Sequence, residues 1–89
     1  MEQFSGTDDF YSFIDLLATR LENEGLSEHA QKLHFLIHKV AWTTGSELIG
    51  ELGQELKRVQ QLHAPHLPAD LSEAISRSLS FARRTWPDL

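Results

Sequence analysis

His34 and His38 stand four residues apart, so on a helix both imidazoles project from one side and could share a divalent metal ion. A usable site needs a further ligand, and His63 or His66, on either side of Ala64-Pro65, is the natural candidate from a loop. The helical zinc-protease pattern requires a glutamate directly after the first histidine; Phe35 occupies that place. The ordinary alternative is that the two histidines flank a core face, each bonded through one nitrogen to a carbonyl or to water. The expectation is therefore no metal and no cofactor. His34, His38, His63 and His66 stand as the alternative.

Other chemistry-bearing residue types are present without the spacing that would make them a site. Eight serines from Ser5 to Ser80 fall in neither Gly-x-Ser-x-Gly nor Ser-x-x-Lys, and caps or surface positions account for them. Gly45, Gly50 and Gly53 precede no Gly-Lys-Ser/Thr and follow no strand, so they do not form a phosphate cradle. Asp8-Asp9 suits the positive end of a helix dipole. Acid–base work would demand a cleft and a perturbed carboxyl, which no spacing here implies. The chain is expected not to be an enzyme.

A second helix over residues 28–43 carries the most informative pattern. Ala30, Leu33, Leu36, Ile37, Val40 and Ala41 make the stripe expected of an amphipathic helix, and Phe35, His38 and Trp42 make a second stripe beside it. Gln31, Lys32, Lys39 and Glu28 leave one edge wet. The aromatic stripe is then either covered by the other helices of the monomer or presented to a partner. Aromatic side chains in a half-wet setting are common binding anchors. Gly50 and Gly53 each cost about 1 kcal/mol relative to alanine inside a helix; they are either ordinary surface glycines or places where another helix or chain approaches closely. Phe35, His38, Trp42, Gly50 and Gly53 are accordingly the expected partner-binding residues.

The elements that position these residues follow from periodicity and terminal signals. Thr7 is a fitting N-cap for a first helix over 8–24, with Phe10, Phe13, Ile14, Leu17 and Leu21 at helical spacing; Gly25 ends it, and Leu26 supplies the apolar contact of a glycine cap. Ser27 opens the second helix. Ser46 is expected to cap a third over 46–62, with Leu48, Ile49, Leu52, Leu56, Val59 and His63 along one side. Two prolines make 63–68 a loop. A fourth helix over 69–85 starts with Asp70 and Glu73 in a capping-box arrangement, and Leu71, Ala74, Ile75, Ser78, Leu79, Ala82 and Trp86 form its apolar face. Nothing alternates with period two, so strands are not expected. Short connections make a compact all-α bundle of four antiparallel helices, in one domain over 1–89, the expected fold. Residues 1–6 are expected to be a flexible N-terminus. Trp86 is expected to dock and the last three residues to stay loose.

Composition bounds function. The chain has 89 residues, no cysteine and a net charge of −5. Residues 1–51 hold nine acids against three bases, and 52–89 hold four against five. No basic stripe forms, so nucleic acid is not an expected partner. No apolar run reaches the ~20 residues of a membrane span, and the N-terminus lacks a signal-peptide pattern. Without cysteine there is no disulfide framework, and a cytoplasmic setting fits. The leading expectation is a non-enzymatic helical interaction module that binds a protein partner or a second copy, as a homodimer. The alternatives are a histidine-based metal-binding bundle, or a small acidic inhibitory or immunity-type protein acting on a basic target. Arg77, Arg83 and Arg84 with Phe81 and Trp86 form a cationic-aromatic patch, expected to stack locally or to receive an acidic segment.

Overall fold

Four runs of apolar residues at helical spacing each need a partner surface, and in the computed structural model they find it in one another. The structure describes residues 6–42 and 44–89. Residues 1–5, most of the segment expected to be flexible, lie outside the described residues. The elements are α1 (Thr7–Asn23), α2 (Ser27–His38), α3 (Gly45–His63) and α4 (Ala69–Ala82), with a 3-10 turn at Ala64–His66 between α3 and α4. Consecutive helices pack side by side, and α4 closes the ring against α1. The all-α bundle expected from the sequence is the fold, within extents of 34 × 29 × 22 Å. No helix among the described residues is long and apolar enough to cross a membrane.

The core follows the periodic positions. Phe10, Ile14, Leu17 and Leu21 from α1 meet Leu33 and Leu36 from α2, Leu52, Leu56 and Val59 from α3, and Leu71, Ile75 and Leu79 from α4. Ser78 is also fully buried, and its hydroxyl donates to the Ala74 carbonyl at 2.9 Å, so no polar atom is stranded there.

The connections show why each helix stops. Gly25 adopts φ 85°, a left-handed conformation that glycine enters without steric cost. It lets its own N–H reach the Glu22 carbonyl at 3.0 Å and the Leu26 N–H reach Leu21 at 2.9 Å. These are the paired bonds of a glycine-terminated helix, and Leu26 packs on the core as that motif requires. Because Leu26 is drawn into this turn, its carbonyl accepts the first bond of α2, and Ser27 is the first helical residue instead of the cap. In α1 the cap position likewise falls to Gly6, not Thr7.

The start of α3 is fixed by Thr44, not Ser46. Its hydroxyl accepts from the Glu47 N–H at 3.3 Å, while the Glu47 carboxylate accepts from the Thr44 N–H at 3.4 Å. This reciprocal cap explains the largest departure from expectation. With Thr44 committed to α3, the chain reverses between His38 and Thr44, and α2 ends at His38 instead of running to 43. The reversal is sealed by the Trp42 indole, whose N–H donates to the Leu36 carbonyl at 2.6 Å, one of those that the helix end would leave without a partner.

At α4 the expected Asp70–Glu73 box does not form. Asp70 accepts instead from the Leu71 N–H at 2.9 Å and takes a two-pronged ion pair with Arg20 of α1, at 2.9 and 3.2 Å. Beyond α4 the chain turns tightly, and Leu89 is buried, not loose. Its carbonyl accepts from Arg83 Nε at 2.5 Å, and its side chain lies against Gly53.

Candidate functional site

Ending α2 at His38 separates the residues of the expected aromatic stripe. Phe35 stays on α2, half exposed, on the face that also carries the exposed Glu28, Gln31, Lys32 and Lys39. His38 turns toward α1, where its Nε2 lies 3.0 Å from Asp15 Oδ2. Trp42 has left the helix and packs, partly buried, against the core. A continuous Phe35–His38–Trp42 strip on one helix therefore does not exist, because it required a helical register across residues 39–42 that the reversal removes.

What the fold builds instead is a groove that joins Trp42 to Trp86, the only two tryptophans of the chain. It has a volume of about 530 Å³ and is open to solvent along one side. One wall is the segment Val40–Trp42. The floor and second wall come from α3, where Glu47, Gly50, Glu51 and Gln54 recur at the i, i+3, i+4, i+7 spacing of one helical face. The far end is the C-terminal turn with Trp86, Asp88 and Leu89.

Gly50 makes this arrangement possible. A Cβ placed there would lie 3.0 Å from Trp86 Nε1 and 3.3 Å from two ring carbons, so only glycine lets the indole lie against α3 without displacement. Trp86 is held by its N–H, which donates to the Ser46 carbonyl at 2.6 Å. Gly53 has a parallel role one turn further on. A Cβ there would overlap Leu89 Cδ1 and meet the Ala82 methyl at 3.3 Å. The close approach expected at the two glycines is thus present, and the approaching group is the chain's own C-terminal segment.

The groove has a definite electrostatic character. Both indole N–H groups are engaged by backbone carbonyls, so the rings are fixed and offer π surface in place of free donors. Glu47, Glu51 and Asp88 line the same space. Neither Glu51 nor Asp88 has an ion-pair partner among the described residues. Two fixed indoles beside three carboxylates form an environment suited to a cation with an apolar stem, because the ring quadrupole and the carboxylates attract the same charge. No family model matches this chain, and neither a curated protein nor a solved structure matches it.

The remaining expected residues are placed elsewhere. His34 and His38 do share one side of α2, and the group they meet is Asp15 of α1. His63 instead stands edge-on to His29, ring centroids 5.3 Å apart, and His66 is exposed in the 3-10 turn. His29 in turn binds the buried Glu55 at 2.6 Å, which also takes Arg58 at 2.9 Å and ties α2 to α3. The cationic C-terminal residues are engaged locally: Arg84 lies 5.5 Å over the Phe81 ring and Arg83 holds the Leu89 carbonyl. Sequence reasoning did not reach Asp15, Glu47, Glu51 or Asp88 as site residues. The available signal was the Glu47–Glu51 pair at i, i+4 on the face that also carries Gly50.

Proposed function

We propose that this chain is a non-enzymatic helical interaction module that captures a basic segment of a protein partner, with a lysine or arginine side chain seated in the Trp42–Trp86 groove. The single observation that carries the reading is the conjunction of two immobilised indoles with Glu47, Glu51 and Asp88 around one open space. The alkyl stem of the partner's side chain would cover apolar ring surface and its charged head would meet the carboxylates. A net charge of −5 favours a basic partner over a second copy of this chain, since two copies repel before they meet. The setting we propose for this activity is the cytoplasm, with which a chain that has no cysteine for a disulfide framework is compatible.

The test uses intrinsic fluorescence, because both tryptophans line the groove and report directly on its occupancy. Blocked peptides bearing one lysine or arginine between apolar residues are titrated against matched peptides bearing glutamate. The expected result is a saturable change with the basic peptides alone, weakened by salt and by Glu51→Gln or Asp88→Asn. An equal response to the acidic peptides, or none to the basic ones up to millimolar concentration, refutes the proposal.

A further inference from the structure

We infer that Asp15, His34 and His38 form a binding site for a borderline divalent metal ion of the zinc type, bridging α1 and α2 on the side of the bundle that carries Asp15. The helical spacing of His34 and His38 stacks their rings, with centroids 5.9 Å apart and planes inclined by 28°. Asp15 approaches from the neighbouring helix. Its Oδ1 lies 3.1 Å from His34 Nδ1, and its Oδ2 lies 3.0 Å from His38 Nε2. One donor atom from each of the three residues falls within 4.8 Å of the other two.

Those separations are close to what coordination demands. Metal–ligand bonds of about 2.0–2.1 Å place neighbouring donors of a tetrahedral zinc roughly 3.3–3.4 Å apart. The carboxylate-to-imidazole distances need to open by only a few tenths of an ångström, and the two imidazole nitrogens need to close by about 1.5 Å at most. Adjustments of this size are within the reach of side-chain torsions.

The donor set selects the ion. Two neutral imidazoles and one carboxylate suit zinc, cobalt, nickel or copper, whereas calcium and magnesium require oxygen cages. The three side chains retain 42, 32 and 53% of their exposure in the order His34, Asp15, His38, so an ion has an entry path and keeps water in its remaining position. The competing role for the trio is a hydrogen-bonded cluster in which the two imidazoles donate to one carboxylate. The two roles differ in what they predict for zinc.

The experiment is calorimetric titration of untagged protein with zinc chloride at neutral pH, accompanied by the visible spectrum of the cobalt-loaded protein. The expected result is one equivalent bound with Kd tighter than about 10 µM. His34→Ala, His38→Ala and the near-isosteric Asp15→Asn should each weaken binding at least tenfold. His63→Ala and His66→Ala should leave it unchanged, and calcium should give no heat. Circular dichroism of each variant establishes that the bundle is intact, which these partly exposed positions permit. Absence of one-to-one binding, or binding that survives Asp15→Asn together with His34→Ala, overturns the assignment, as does transfer of the effect to His63.

Discussion

Replacing Trp42 by alanine separates two contributions that the structure assigns to one side chain. The indole packs partly buried on the core and its N–H satisfies the Leu36 carbonyl. An indole has about 200 Å² of surface, most of it removed from water here, so at ~25 cal/mol per Å² its packing contributes about 3 kcal/mol beyond what alanine retains. The hydrogen bond adds about 1 kcal/mol net. A domain of 89 residues has a total stability of roughly 4–13 kcal/mol, so Trp42→Ala removes a large part of it. In a urea titration followed by circular dichroism, with a slope near ~1 kcal/mol per M, the midpoint should fall by about 3–4 M or the variant should be unfolded at the outset. Trp42→Phe keeps most of the packing and loses the donor, and should cost about 1–2 kcal/mol. If Trp42→Ala costs under ~1 kcal/mol, the indole is not packed as described and the reasoning fails. The same holds if phenylalanine costs as much as alanine.

Glu55 and His29 should each be costly to change alone: His29→Leu leaves a buried carboxylate with Arg58 alone and should cost about 1–3 kcal/mol in urea unfolding, and Glu55→Met leaves the His29 imidazole, only 16% exposed, without its partner and should cost about 1 kcal/mol or more. Gly53→Val should lower stability by about 1–3 kcal/mol in thermal unfolding, since its side chain displaces Leu89 and presses on Ala82. Hydrogen bonding to Arg20, joined by the Arg20 charge and the Leu71 N–H, holds the Asp70 carboxyl below its ordinary value. The stabilisation this gives is complete above the unfolded carboxylate value of about 3.9 and is lost as pH falls further, through the folded value. Asp70→Asn should therefore flatten the acid limb of a stability–pH profile below about pH 4 and leave its shape at neutral pH unchanged.

Much of the scaffold was legible because it is local. Phe10, Ile14, Leu17 and Leu21 advertise the buried face of α1 by spacing alone, and Gly25-Leu26 announces its end through turn chemistry written in adjacent residues. The end of α2 was not legible. Val40, Ala41 and Trp42 preserve an apolar pattern past His38, and what stops the helix is the Thr44 cap of the next element together with an indole folding back on Leu36. The glycines of α3 signalled close approach correctly, yet nothing near Gly50 names Trp86 as the group that approaches. The groove and the Asp15–His34–His38 trio both depend on the relative register of separate helices. That register is settled by core packing across the whole bundle and leaves no trace in the spacing within any one of them.

The closure of α4 onto α1 has a kinetic consequence. The α1–α2 and α3–α4 pairs join neighbours in sequence, so their loops close quickly, whereas the α1–α4 seam joins residues as distant as Arg20 and Asp70, or Phe10 and Phe81, whose rings stack with centroids 4.5 Å apart. Such a seam is expected to form after the hairpins and to be weakly developed when the folding barrier is crossed. Its contacts then act chiefly on how long the native molecule survives, and a Phe81→Ala variant should unfold faster while refolding at nearly the parent rate in stopped-flow measurements.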